Sequence, residues 1–462
     1  MINIRVVSQF RLSLCQNINK SIIHLRQIKK DSWGHLRVNS FSVFNKELRQ
    51  SYNNKNIDSR DSIVNIASAS NIEKQIRSLI SIDDLRNIGS FFTSDEIAEQ
   101  AKLSFTKRIT KNSIIYDPTC GTGNLLISVS KSLPVNKSLE ITLDLWGEVL
   151  RGYDLVSEFV ECTKLRLILE AIHRGATSKK SSLEALEKKF KYILQGDVLK
   201  KLDTLSDATH LIINPPYTLQ KISNDCEWSS GKVNIAAVFM DKILKSVKPN
   251  THYAAILPEV LRSGSSYNKW RKLITEQNIA RTDVIGRFNA KTDVDVFILS
   301  GYKTKKMNKP TTVWTQEKHA HTVGDKFDVS IGPLVAYRDK KIGTKSPFIY
   351  SRMLIAWGTL EKIETTRKTK TKLIQPPFVA IKRTSSPSDK SRAVATLVLG
   401  DKAVAVENHL IVLKPKRGNV NICKQLIRTL KGEGTNVFLN QRIRCRHLTV
   451  GAVKEIPWTI KS

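Results

Sequence analysis

The stretch Ile114-Ile115-Tyr116-Asp117-Pro118-Thr119-Cys120-Gly121-Thr122-Gly123-Asn124-Leu125-Leu126 constrains the fold of this chain more than any other. An apolar run ends in an acid, passes through a Gly-x-Gly turn and opens an apolar, helix-like segment. That order predicts strand, tight turn and helix, the first unit of a doubly wound α/β sheet. The glycines permit tight backbone geometry and close approach of a ligand. The run is not the dinucleotide fingerprint, because Leu126 stands where a third glycine is needed. It also lacks the Lys-Ser/Thr of a phosphate-binding loop. A carboxylate at Asp117, just ahead of the glycines, repels a pyrophosphate and suits a cationic ligand. The plainer reading is a Gly-rich loop in some other α/β fold.

Periodicity carries the pattern onward. Apolar runs at 113–117, 149–154, 192–196 and 209–213 alternate with helical segments such as Val156–Ala176, which predicts a parallel sheet. A helix over Ile235–Val247, a strand over Tyr253–Pro258 and a helix around Tyr267–Glu276 follow. Two strands then come close together, Thr282–Phe288 and Asp295–Ser300, and predict an antiparallel edge. Acids close two further strands, Asp154 and Asp197. In sheets of this kind an acid at the second strand end bonds ribose hydroxyls, and one at the third can receive the exocyclic amine of an adenine. One such Asp alone is more often a cap or a solvated loop residue. Three at successive strand ends converge on one crevice, because ligands of open α/β sheets bind at the carboxyl ends of strands.

The fourth strand runs into Asn214-Pro215-Pro216-Tyr217. Two prolines fix φ twice and remove two backbone donors. The Asn amide, the Pro215 carbonyl and the Tyr ring are thereby held in one arrangement, suited to gripping a planar primary amine. Two acceptors take the amine protons while the ring stacks on the attached heterocycle. The alternative is a Pro-Pro turn after a buried strand.

Taken together, these motifs resemble the S-adenosylmethionine-dependent N6-adenine DNA methyltransferases, in the subgroup whose cofactor motifs precede the catalytic one. The resemblance covers roughly residues 76–305 and implies a Rossmann-like class I methyltransferase sheet, mostly parallel with an antiparallel edge strand. It implies that Asp117, Gly121, Gly123, Asp154 and Asp197 bind S-adenosylmethionine and that Asn214, Pro215, Pro216 and Tyr217 carry catalysis. Ile88 through Ser94 resembles the segment at the methionine end of the cofactor and adds Thr93. The family usually has Thr-Pro there, whereas this chain has Thr93-Ser94, which also reads as a helix cap. By the same similarity Phe288 would face Tyr217 across a target base turned out of the duplex.

Lys and Arg number 75 against 42 acids, a net charge of +33. Residues 301–462 hold 32 of the cations and 11 of the acids, and an excess of that size implies a polyanionic partner. The expected domains are an N-terminal extension over 1–75, the catalytic domain over 76–305 and a smaller α+β DNA-recognition domain over 306–462. In the last, short strands such as Ala403–Val412 alternate with turns. Candidate DNA contacts are Lys382, Arg383, Lys390 and Arg392 in one small-residue loop, and Arg444 and Arg446 in a second basic segment.

Six cysteines without paired ligand spacing predict a reducing compartment and no structural metal. No run of 18 apolar residues predicts a membrane helix, so the expected location is the cytoplasm. The first 30 residues are basic and lack acids, a composition shared by organellar transit peptides and by irregular basic extensions. The expected partner is double-stranded DNA, with a restriction endonuclease encoded separately as a second; oligomeric state is left open. Other readings stay open too. The chain can be the modification subunit of a multi-subunit restriction system, a methyltransferase for RNA or protein amines using the same tetrapeptide, or a DNA-binding protein without activity.

Overall fold

The computed structural model describes residues 38–53, 68–79, 93–178, 181–222, 226–289, 292–305, 312, 314, 319–417 and 419–459. They divide into two compact units, the chain leaving the first after Leu261, returning after Ser265 and leaving for good after Val313. The sequence places that last boundary near residue 305. The later point has a local cause, since the Thr312 hydroxyl still donates to Asn278 O (3.1 Å) inside the first unit.

The first unit begins with α1 (Val38–Asn53), α2 (Ala69–Leu79) and α3 (Asp95–Leu103). Ser94 caps α3 by accepting from Ile97 N, and Asp95 and Glu96 occupy the first turn, where the helix dipole favours acids. β1 (Ile115–Asp117), α4 (Asn124–Ser130), α5 (Leu139–Val149), β2 (Leu150–Asp154), α6 (Ser157–His173), β3 (Ile193–Gln195) and β4 (His210–Ile213) then alternate. After a two-stranded ribbon of Leu219–Lys221 with Lys232–Asn234 come α7 (Ile235–Ser246), β5 (His252–Pro258) and α8 (Asn268–Gln277). The unit ends with β6 (Asn278–Asn289) and β7 (Thr292–Lys303).

The seven strands form one sheet in the order β3-β2-β1-β4-β5-β7-β6. β1 to β5 are parallel, and β7 runs antiparallel to β5 and to β6. The central strands β1 and β4 are buried at every residue, as expected where helices cover both faces of a parallel sheet. The last two strands are longer than their apolar patterns predict, because pairing extends outward from Asn278–Lys303. Part of the segment expected as an extension is also packed. On α1, Phe44 and Leu48 are buried, Phe41 meets Phe159 of α6 edge-on, and Arg49 pairs with Glu161 (2.8 Å) and Glu187 (2.8 Å).

In the second unit five strands lie in the order Phe327–Ile331, Leu410–Pro415, Phe378–Lys382, Ala395–Val398, Thr359–Leu360. Alternation sorts their side chains onto two faces. Val379, Ile381, Ile411 and Leu413 pack beneath the helices Val420–Lys431, Glu433–Arg442 and Val450–Lys454. Phe378, Ala380, Leu410 and Val412 face Ile349, Val404 and Val406 instead. The single strand expected over Ala403–Val412 is divided: Ala405–Val406 belongs to a three-stranded sheet and Leu410–Pro415 to the five-stranded one. Among the described residues no helix is long and apolar enough to cross a membrane.

Candidate active site

β1 delivers Asp117 to the carboxyl edge in the middle of the sheet. Its side chain is 1% exposed, and Oδ1 accepts from Thr119 N (3.1 Å). Burial, reinforced by the nearby Asp154 carboxylate, pushes its pKa up to about 8, and a cation placed beside it would favour the ionised form. At the end of β2, Asp154 is pinned by two main-chain donors, Gly121 N to Oδ2 (3.0 Å) and Val156 N to Oδ1 (2.9 Å). Gly121 reaches it with φ 53, a conformation that favours glycine. Asp197, after β3, accepts from Leu199 N (3.1 Å) and starts a short turn.

Thr93, Asp117, Gly121, Asp154, Asp197, Asn214 and Pro216 line one cavity of the first unit. Gly123 is not among the lining residues. It takes φ 88 ahead of α4, and a Cβ there would lie 2.8 Å from Thr163 Cγ2 of α6. Glycine is required at 123 by the turn and by helix packing. Asn124, Phe159 and Phe239 line the cavity as well and were missed. Asn124 donates to Thr93 O and accepts from buried Arg166, which also donates to Thr122 O. An arginine inside the apolar run Leu165–Leu169 of α6 was the available signal.

β4 carries the chain into Asn214. Its Nδ2 donates to Thr93 Oγ1 (2.8 Å), and Oδ1 accepts from the Tyr217 hydroxyl (2.7 Å), which also lies 3.0 Å from Ile256 O. Burial raises the Tyr217 phenol well above its ordinary pKa, so the hydroxyl remains a donor. The Thr119 hydroxyl donates to Asn214 O (3.2 Å), and Asn234 Nδ2 donates to Tyr217 O (2.9 Å). Pro215 is buried between them. Tyr217 and Phe288 do meet, with ring centroids 6.4 Å apart and planes at 85°. This is edge-to-face packing rather than a parallel slot, so a base between them requires one ring to turn.

In the second unit the two basic segments become neighbours. Thr384 bridges His447, Ser385 N donates to Arg446 O (2.8 Å), and Leu448 N donates to Arg383 O (2.8 Å). Lys382, Lys390 and Arg446 are exposed; Arg383 and Arg444 are half-buried. Burial, then Arg383 and His409, lower the pKa of His447. Arg392 departs from the expectation. It is 2% exposed, and its guanidinium donates to the carbonyls of Leu439, Ile443 and Cys445. Its charge faces inward, where it ties the loop to the helical layer, and the DNA-contact assignment is corrected accordingly.

A parallel sheet with an antiparallel seventh strand inserted beside β5, and a crevice at its carboxyl edge, is the class I methyltransferase fold. The chain belongs to the N-6 DNA methylase family, whose model matches residues 79–326. No curated protein matches the chain in sequence. Among solved structures it is similar to the type IIL restriction-modification enzyme MmeI in complex with DNA. There the TM-score is 0.50 at 12% identity, covering 84% of this chain and 70% of that one. The type IIG restriction endonuclease BpuSI gives 0.44 at 13% identity, covering 85% and 61%. The EcoKI M protein gives 0.37 at 14%, covering 65% and 68%. The MmeI match supports the fold alone. The chain thus spans about 61% of the length of BpuSI.

Proposed function

We propose that this protein transfers a methyl group from S-adenosylmethionine to adenine N6 in double-stranded DNA, at a sequence read by its basic second unit, as the modifying enzyme of a restriction-modification system. The carrying observation is that Asn214 and Pro216 border the same cavity as Asp117, Asp154 and Asp197. The lining fits the cofactor: a buried acid for a cation, a pinned acid to accept from ribose hydroxyls, a third acid to accept from an adenine amine, and Phe159 as an apolar wall. When bound, S-adenosylmethionine supplies an electrophilic methyl carbon. The protein's part is to hold the amine in line with it, which accounts for much of the rate in such transfers. Asn214 Oδ1 and the Pro215 carbonyl accept the amine protons and leave its lone pair free to attack. Tyr217 and Phe288 enclose the base once the rings have parted.

The concentration of positive charge after residue 301 favours a chain that reads DNA itself over a subunit that relies on a separate specificity protein. The test is to express the protein in cells without adenine methylation and to map modified bases in their DNA, with Asn214→Ala as the control. N6-methyladenine confined to one short sequence is expected. N4-methylcytosine, or methylated RNA with unmodified DNA, would overturn the substrate assignment.

A further inference from the structure

We propose that Thr93 is a positioning residue that holds the Asn214 side-chain amide in place for the target amine. The inference rests on the methyltransferase reading and assigns Thr93 a task other than contact with the cofactor. An amide can turn end for end, and only its oxygen end can accept amine protons. Here the two ends have different partners. Nδ2 donates across 2.8 Å to Thr93 Oγ1, and Oδ1 accepts across 2.7 Å from Tyr217. Thr93 is 5% exposed. Its main-chain carbonyl accepts from Asn124, which is itself held by Arg166. A continuous path of hydrogen bonds therefore leads from α6, through the start of α4 and Thr93, to Asn214. The nitrogen end is anchored beside the helix that opens the cofactor crevice, and the oxygen end is left beside the Tyr217 ring, where the base arrives.

The test uses Thr93→Val, which keeps the shape and removes the hydroxyl, and Thr93→Ser, which keeps the hydroxyl. In Thr93→Val, the single-turnover methylation rate should fall about tenfold or more while the Kd for S-adenosylmethionine and the melting temperature stay close to the parent values. Thr93→Ser should recover most of the rate. Hydrogen exchange of the Asn214 side-chain NH2, followed by NMR, should be slow in the parent and in Thr93→Ser, and faster in Thr93→Val. That readout does not depend on activity: a parent that neither binds S-adenosylmethionine nor methylates DNA defeats the functional reading, whereas unchanged exchange in Thr93→Val defeats the anchoring. A Thr93→Val rate equal to the parent's, or a Kd that weakens in step with the rate, overturns the positioning role.

Discussion

The Tyr217 hydroxyl donates to Asn214 Oδ1 across 2.7 Å, so the ring and the amide of the tetrapeptide act as one unit. Asn214→Ala removes the acceptor itself, and methyl transfer should fall by roughly a hundredfold or more while S-adenosylmethionine still binds. Tyr217→Phe keeps the ring and loses the tie together with the contact to Ile256 O, so a fall of roughly 3–10-fold is expected. Tyr217→Ala should lie between them. Single-turnover kinetics on duplex DNA separate the three, and equal losses in all would show that the tie has no bearing on transfer.

Asp154 holds two main-chain amides of the crevice in place as well as facing it. Asp154→Ala should therefore weaken S-adenosylmethionine binding and also cost about 1–3 kcal/mol of stability. Asp154→Asn retains an acceptor and should recover part of the stability without the affinity. Calorimetry paired with denaturant unfolding checks both halves; unchanged affinity in a folded Asp154→Ala protein would remove this acid from the ribose site.

Asp117 gives binding a pH dependence whose sign follows from its environment. Its pKa in the folded protein is pushed up to about 8 from an ordinary 3.8, so at neutral pH it holds a proton that a bound cation displaces. Affinity for S-adenosylmethionine should rise with pH through neutrality and level off above about 8, with proton release on binding. The same shift makes this group's contribution to stability fall as pH climbs from the ordinary carboxylate range towards 8. Titration calorimetry in two buffers of different ionisation enthalpy measures the proton count, and Asp117→Asn should abolish that contribution.

The cations of the second unit should separate into two kinds. Arg392→Ala leaves carbonyls at 439, 443 and 445 without their buried donor, and a loss of roughly 2–4 kcal/mol is expected. Lys382→Ala, Lys390→Ala and Arg446→Ala should leave stability within about 0.5 kcal/mol. Where one of them meets a phosphate, its removal should lower the salt dependence of DNA binding by about one counterion. Melting curves and binding isotherms at several salt concentrations distinguish the two kinds; undiminished DNA binding by the triple substitution would move the interface elsewhere.

What could be read from the chain followed its local chemistry. Acids at strand ends, the Gly-x-Gly turn and the Pro-Pro tetrapeptide each write their geometry into a few consecutive residues, and the structure gathers Asp117, Asp154, Asp197 and Asn214 around one cavity. What could not be read depended on contacts between distant segments. Nothing near Arg392 announces that residues 439–445 will enclose it, so an inward-facing arginine looked the same as its solvated neighbours Lys382 and Lys390. The packing demand for glycine at 123 was equally hidden, because the residue that excludes a Cβ there, Thr163, lies 40 positions away in sequence. The edge-on meeting of Tyr217 and Phe288 likewise depends on how β6 closes the sheet.

The match to the methylase family begins at residue 79, yet the folded body begins earlier. α1 lays Phe41 against Phe159, which lines the cavity, and sets Arg49 between Glu161 and Glu187. A fragment trimmed to the family boundary would uncover an aromatic wall on one side and leave two acids facing each other on the other. The part of this protein that sequence similarity would discard is therefore scaffolding for the part that it would keep.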